Sequence, residues 1–598
     1  MNRMIEERIR TYEILVSENR KKSDRIGNQM HLLGSFRLIL FIGTLIAIYM
    51  LVGDYQLLIP LLIVMALSFA YLFKKHDSLS DRKESAEFLI QLAENELKAF
   101  RHDFSVFNGA GEKRDPAHPF SYDLDIFGED SFFQQINRTV LPIGEQKLAE
   151  MIQYPLTDKD AILGRQQTIM ELAGKEGFCL HFRTAGMKIS SSSVKELHFT
   201  SSDPDDGLSQ NKIWKAAVWV TPFLYLVFIF LWLTGIVPGG LFLYLYLFTF
   251  ALSLIPMKRV KAIWVMFDKR SKRLDAFASL FKISEQEKCE SQLLKSLQKQ
   301  LILHKKASDA ISELSKISRN LDVGFTLAML VLNPLFLWTT LYALKIERWM
   351  KHHGGEVDTW FALLAEMDAL ISLGTFAVNH PDYCYPGISD SHCFRGEGLG
   401  HPLIPREKCV KNDIDLSHKP CFMIVTGANM AGKSTYLRTI GINHLLASVG
   451  LPVYAERLSF YPGRLLTNLR TSDSLVNSES YFFAELKRLK MIIDRLVSGE
   501  EGLLIILDEI LKGTNSEDKQ RGSQALIKRL VALGGCGIIA THDLALGDLE
   551  TQYPQEIKNW HFDALIHEDA LTFSYKLQEG LARNMNASFL MRKMGITE

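Results

Sequence analysis

The chain has 598 residues, carries 68 Lys+Arg against 68 Asp+Glu, and is 47% hydrophobic. That balance excludes a uniformly basic nucleic-acid coat and an acidic tail protein. The apolar content excludes a mostly disordered chain, and the length allows about three or four domains. A mean hydropathy of +0.03 is high for a chain that is 23% charged, so very apolar segments must be interleaved with polar ones. The seven cysteines (Cys179, Cys289, Cys384, Cys393, Cys409, Cys421 and Cys536) are scattered without any CxxC spacing. They support neither a disulfide framework nor a zinc site.

Residues 1–32 read as a charged cytoplasmic helix, with no cleavable signal pattern. Residues 33–74 follow as a first transmembrane hairpin. Its apolar runs, 38–53 and 57–73, are uncharged and split by Gly53-Asp54-Tyr55-Gln56, with Arg37 near the interface. Residues 75–215 are acidic, at 17 Lys+Arg against 23 Asp+Glu, and contain DLDIF at 123–127, Asn137-Arg138-Thr139, Gly144 and ILGRQQTIMEL at 162–172. A second hairpin occupies 216–257, its runs near 216–236 and 240–257 split by a Gly- and Pro-rich tip. Lys74-Lys75, Lys212, Lys215 and Lys258-Arg259-Val260-Lys261 flank the two hairpins, while both tips lack Lys and Arg. Such a bias predicts an inner-membrane, multi-pass protein with both tips facing away from the cytoplasm.

The stretch 257–320 is basic, at 15 Lys+Arg against 7 Asp+Glu. KRVKAIWVMFDKRSKR at 258–273 suits anionic lipid headgroups or simple topology signalling better than DNA, because it directly follows a membrane segment. The apolar stretch 325–344 is long enough to span, but crossing there would place everything downstream on the outer side. Its central Asn333-Pro334 favours a bent, protein-buried helix, so a core location is expected. Amphipathic patterns at 260–320 and 359–378 extend the helical region to about 395.

Residues 396–598 read as an α/β domain. A buried strand, 422–426, leads into Gly427, Ala428, Asn429, Met430, Ala431, Gly432, Lys433, Ser434 and Thr435, and a helical pattern follows. This is GxxxxGK[ST] in the strand–helix context of a P-loop. Backbone N–H groups there cradle phosphates, Lys433 reaches the β/γ-phosphates, and the Ser434 hydroxyl ligates Mg²⁺. The strand 503–507 ends in Asp508-Glu509, as a Walker B element does. Asp508 would hold Mg²⁺ and Glu509 would polarise the attacking water. A third strand, 537–540, delivers His542 to the same edge. ATP and Mg²⁺ are therefore the expected ligands.

Together, TGANMAGKSTYLR, Thr471-Ser472-Asp473, SYFFAE at 480–485 and DEILKGTNSED at 508–518 resemble the MutS family of mismatch-repair-type ATPases, within the ABC ATPase superfamily. The resemblance is strong over 396–598 and weaker upstream, where the 123–144 and 162–172 segments look like the opening of the MutS core. With the two α-helical transmembrane hairpins read from hydropathy, it implies a multidomain fold that adds an all-α core and lever domain (75–215 and 258–395) and a C-terminal α/β P-loop ATPase domain. It further implies a homodimer through the ATPase domain, with Ser516 reaching the partner's nucleotide, and DNA as a partner beside membrane lipid. The expected departures are a missing mismatch-reading domain and Phe-x-Glu wedge, no nuclease-like extension, and no adenine-stacking aromatic near Cys409-Val410. The alternative expectation is an ABC-type transport or membrane-assembly ATPase that does not act on DNA. Against transport stand the missing LSGGQ signature and the scarcity of polar residues in the apolar runs.

Overall fold

The computed structural model describes residues 3–51, 53–189, 207–267, 271–303, 305–417, 421–428, 430–470, 481–512, 515–567 and 570–582. The chain divides into two compact units. One comprises Met1–Arg138, Leu148–Lys175 and Leu370–Glu598, the other Thr139–Lys147 and Glu176–Ala369.

In the first unit, helices α1 (Arg3–Met50) and α2 (Tyr55–Phe100) form an antiparallel pair. Their buried positions recur at Ile5, Tyr12, Asn19 and Ile26 on α1, and at Leu72, Leu79, Ala86 and Ala93 on α2, each series advancing by seven residues. That repeat is the seam of a coiled coil, which keeps one stripe of each helix against the other. Cross-links follow the seam: Arg20 pairs with Glu94 at 2.8 Å, Ser23 meets Glu87 at 3.4 Å, and Arg37 lies over the Phe73 ring at 5.2 Å. Beyond Arg37 and Phe73 the pattern changes. Ile39, Met50, Leu57 and Leu67 are all more than half exposed, and both helices are long and apolar enough there to cross a membrane.

The opposite end of this pair is fastened by a buried polar cluster. The Arg138 guanidinium meets both carboxylate oxygens of Glu96 at 2.9 Å, the two side chains being 5% and 1% exposed. Asn379 donates to Glu96 at 2.9 Å and accepts from the Tyr12 hydroxyl at 2.9 Å. Arg138 also lies over the Phe107 ring at 3.5 Å, and its backbone N–H donates to the Ser372 hydroxyl. Charges this far from water are tolerable only when every partner is in place.

The second unit is helical. Helices α3 (Lys212–Leu233) and α4 (Leu241–Leu254) form an apolar pair held by a 2.8 Å contact between the Tyr225 and Thr249 hydroxyls. Trp219, Tyr244 and Phe248 are largely exposed. The second run was expected to continue to 257, but α4 ends at Leu254, and α5 (Met257–Phe267) departs at 61°. Pro256 is the cause: it has no N–H to continue the ladder of α4 and it suits the start of a new helix, while Ile255 keeps helical angles. Helices α6 (Ser271–Gln286) and α7 (Ala307–Val323) pack together. A short α8 (Met329–Phe336) and the long α9 (Trp338–Asn379) follow, the latter continuing into the first unit.

The expectation that 325–344 is core holds for only part of it. Asn333, Pro334, Leu337, Thr339, Thr340 and Ala343 are buried, whereas Leu327, Leu330, Val331 and Phe336 are exposed. The segment breaks at Leu337, which adopts a left-handed φ of 46°. Gly144 and the preceding loop dock on one buried acid of this unit. Asp368 accepts from the backbone N–H groups of Val140 and Leu141, and a Cβ on Gly144 would stand 2.2 Å from its Oδ2.

The remaining chain builds two sheets. A four-stranded sheet has the order β1 (Gly387–Ile388), β5 (Arg457–Phe460), β2 (Phe394–Leu399), β3 (Asn412–Leu416). A six-stranded sheet has the order β10 (Ala570–Glu579), β9 (Ile557–His567), β4 (Cys421–Gly427), β8 (Cys536–Ala540), β7 (Leu504–Asp508), β6 (Leu465–Asn468). All its pairings are parallel except β10–β9. Strands β4, β7 and β8 are buried throughout, as uninterrupted apolar runs in a parallel sheet should be. Helices α11 (Tyr481–Val497) and α12 (Ser516–Ala532) contribute Leu489, Ile492, Ile527 and Leu530 to a core with Phe422, Ile505 and Ile539.

Helix α10 (Lys433–Val449) is buried almost along its length. A Cβ on its Gly441 would come within 2.9 Å of Leu124, so the LDIF segment seats directly on this helix. Asp123 then accepts from the Thr467 hydroxyl at 2.6 Å and from the backbone N–H groups of Leu469 and Arg470. The motif read as the opening of an upstream domain thus forms part of the packing around the sheet.

Replacing Arg138 with Met should strand the Glu96 charge and cost about 3–5 kcal/mol. The expected outcome is a clearly lowered unfolding midpoint in detergent. The double change Glu96→Met/Arg138→Met should regain much of that loss, since no unpaired charge remains.

Candidate functional site

The site lies where β4, β7 and β8 end side by side, the crevice at the carboxyl edge of a parallel sheet where ligands usually bind. The turn from β4 into α10 needs both of its framing glycines. Gly427 has φ 144°, and a Cβ there would meet the Phe562 carbonyl at 2.7 Å. Gly432 has φ 106° and faces the Tyr575 ring, 3.1 Å from where a Cβ would stand. Met430 adopts φ 66° with its side chain in solvent, a conformation that is costly for a residue with a Cβ. Asn429 lies outside the described residues. Ala428 and Ala431 are buried beneath the turn.

Lys433 folds back into this turn. Its Nζ donates to the Gly427 and Ala428 carbonyls at 2.7 and 3.0 Å and stands 3.3 Å from His542 Nε2. Burial disfavours the ammonium, and its pKa falls to about 8. The adjacent Ser434 hydroxyl donates to Asp508 Oδ2 at 2.7 Å. Among the described residues Asp508 Oδ1 is buried without a hydrogen-bond partner.

Glu509, at the end of β7, has φ 49° and a backbone N–H bonded to Ala540 O, which ties β7 to β8 at the site. Its carboxylate lies 3.0 Å from His542 Nε2 and 3.6 Å from Lys512 Nζ. The bond to His542, helped by the Lys512 charge, lowers its pKa to about 2. Glu509 is therefore a carboxylate at any working pH, suited to orienting a water more than to holding its proton. The turn after it is pinned by Glu485, a buried acid from the SYFFAE motif whose Oε1 accepts the Leu511 N–H at 2.5 Å.

A cavity of about 420 Å³ opens above these groups. Gly432, Lys433, Ser434, Thr435, Glu509 and His542 line one end. His401, Lys408, Cys409, Val410, Asn412 and Tyr575 line the cavity as well, the Tyr575 ring standing beside Gly432. The sequence reading found no aromatic near Cys409-Val410, but Tyr575 reaches the same cavity from β10. It sits at an irregularity between Phe573 and Leu577 with φ 53°, and Asn412 clamps it by bonding Tyr575 O and the Leu577 N–H, each at 2.9 Å. The spacing of the aromatics in β10 carried no hint of this bulge. Ser516 does not line the cavity; it opens α12 on the exposed surface, one residue after the N-cap Asn515. Gly513, Thr514 and residues 471–480 lie outside the described residues.

The donor set suits a magnesium-bound polyphosphate. A hydroxyl and a carboxylate with one unpartnered buried oxygen match the few protein ligands Mg²⁺ takes, its remaining positions going to water and phosphate oxygens. Among the described residues no cluster of three His, Cys, Asp or Glu competes as a metal site.

A glycine-framed turn between a parallel strand and a helix, with two acids at the end of β7, is the arrangement of an α/β domain suited to a phosphate group. Residues 423–592 match the family model described as MutS domain V. A DNA mismatch repair protein MutS of Natronomonas pharaonis is 32% identical over 239 residues, covering 39% of this chain and 27% of that protein. MutS protein homolog 4 of Homo sapiens is 30% identical over 37% of this chain and 24% of its own length. A DNA mismatch repair protein MutS of a Thermotoga species is 31% identical over 37% of this chain and 27% of its own. Through this region the chain is similar to MutS proteins, and it spans about a quarter of the length of these curated relatives.

Because Lys433 loses its proton near pH 8, binding of a polyphosphate should weaken above that pH. The expected fall in affinity is up to about tenfold per pH unit, until the pKa of the bound state is passed. Titrating a fluorescent ATP analogue between pH 6.5 and 9.5 measures it. A Lys433→Arg chain that still binds should lack this limb, since its guanidinium stays charged.

Proposed function

We propose that this chain is a membrane-anchored MutS-type ATPase that binds Mg²⁺-ATP in the cavity above β4 and hydrolyses it. The observation that carries the reading is the convergence of Lys433, Ser434, Asp508, Glu509 and His542 at neighbouring strand ends, with Lys433 3.3 Å from His542, His542 3.0 Å from Glu509 and Ser434 2.7 Å from Asp508. Gly427 to Thr435 wrap the phosphates, Lys433 turns from its carbonyl partners toward them, and Ser434 with Asp508 hold the ion. When bound, Mg²⁺ neutralises charge on the phosphate oxygens. Glu509 orients the attacking water, and His542, hydrogen-bonded to Glu509, stabilises that orientation. Tyr575, beside Gly432 in the cavity wall, offers a ring for a base. Ser516, exposed at the start of α12, completes the partner's site in a homodimer.

The membrane part of the proposal rests on the apolar faces of α1, α2, α3 and α4. The bands carrying Ile39 and Leu67, or Trp219 and Phe248, have no protein cover, and apolar surface of that extent is stable only against lipid. The basic charges of α5 start just beyond α4, at the headgroup level, and keep the ATPase domain cytoplasmic. DNA enters as the substrate that the family resemblance suggests.

Lys433→Ala should abolish nucleotide binding and turnover. Glu509→Gln should keep binding while turnover falls about 10²-fold or more, and sizing at saturating ATP should then find a dimer. Unchanged turnover in the first, or a monomer in the second, removes the corresponding part of the proposal. ATPase rates in lipid nanodiscs with and without duplex, mismatched and branched DNA test the last part. A flat response to all of them removes DNA as the substrate.

A further inference from the structure

We infer that residues 324–337 form a re-entrant element, which dips into the acyl region beside α3 and α4 and returns to the side it came from. The inference rests on the membrane reading above and adds an inserted element that does not cross.

Three observations carry it. The first is depth. The Tyr246 hydroxyl donates to the Leu330 carbonyl at 2.7 Å, and Tyr246 stands eight residues before the end of α4 at Leu254. At 1.5 Å per residue this sets Leu330 about 12 Å inside the basic end of α4. Helix α8 packs against both α3 and α4. The second is an inverted polarity. Leu327 is 87% exposed, and Leu330, Val331 and Phe336 also face outward, while Asn333, Thr339 and Thr340 are wholly buried. Asn333 Oδ1 accepts the Thr339 N–H at 3.1 Å, while Asn333 Nδ2 and the Thr339 and Thr340 hydroxyls are buried with no hydrogen-bond partner among the described residues, so the polar groups are turned inward. A surface made of apolar side chains over a polar interior is what lipid requires and water penalises.

The third is that the excursion closes on itself. The Trp338 indole donates to the Asn320 carbonyl at 2.7 Å, and a Cβ on Gly324 would lie 2.6 Å from Thr339, so the two ends meet in a tight neck. The incoming end is held by Trp264, which donates to Asp322 at 3.0 Å and stacks on Phe325 at 4.5 Å. The outgoing helix pairs Glu347 with Arg259 at 3.2 Å. Trp264 and Arg259 both belong to α5, so both ends are tied to one short basic helix. Two tryptophans at the neck match the aromatic level of a membrane interface. The broken backbone at Leu337 is itself buried, the condition under which a non-helical break is tolerated at this depth.

The test uses the full chain reconstituted in phosphatidylcholine/phosphatidylglycerol vesicles. Leu327→Cys and Leu330→Cys are labelled with a polarity-sensitive fluorophore and exposed to lipids bearing nitroxides along the acyl chain, with the labelled parent chain as background. Phe248→Cys on α4 reports the membrane hairpin, and Lys351→Cys reports water. Quenching at 327 and 330 within about twofold of that at 248, and several-fold above that at 351, is the expected result. If 248 is quenched while 327 and 330 behave like 351, the re-entrant element is wrong and the anchor stands. If 248 also behaves like 351, the membrane reading itself fails.

Discussion

The pairing of Glu96 with Arg138 is the constraint on which the first unit hangs. It joins the last turns of α2 to the segment that leads into the second unit, and Asn379 and Tyr12 add the end of α9 and the first turns of α1. Four stretches far apart in sequence meet at one pair of charges that water cannot reach. An apolar contact would hold them as firmly but would tolerate sliding. A carboxylate–guanidinium pair, with Asn379 on the same carboxylate and the Asn137 carbonyl on the guanidinium, fixes both distance and angle.

The same economy governs the nucleotide-type site. Lys433, Glu509, His542 and Lys512 form a chain of alternating charge and hydrogen bonding, so that Glu509 stays ionised while Lys433 is held near its titration point. One group is kept permanently negative, and another is held near the pH at which it gains positive charge. Burial and neighbours, not residue type, draw that distinction. Glu485 and Asp123 stand one layer out. Each spends a buried carboxylate on backbone N–H groups and so holds the turns that carry the reacting side chains.

Much of this was legible in the sequence, and the parts that were not share a cause. The turn 427–435, the acidic strand end at 508–509 and His542 are local: each depends on its own strand, whose apolar run is visible. Tyr575 was missed because its placement needs a bulge in β10 and a clamp from Asn412, two features separated by 163 residues. The second apolar hairpin was read two to three residues too long because hydropathy continues through Ile255 while the backbone turns at Pro256. For 325–344, composition was a fair guide to burial in the half after Leu337 and a poor one before it, since an average over apolar residues does not say which face meets protein. The seven-residue seam of α1 and α2 was hidden by its composition. Asn19, Ala86 and Ala93 occupy positions where Leu or Ile would have announced it.

That seam has a consequence for how such a chain can change over time. A coiled coil keeps its register only if both helices gain or lose whole heptads together, and one heptad is about 10 Å of rise. The distance between the apolar tips and the Glu96–Arg138 cluster is therefore adjustable in discrete steps, and any other length change rotates one end against the other. Related chains that differ in this stem should differ by matched sevens, while the two ends stay as they are.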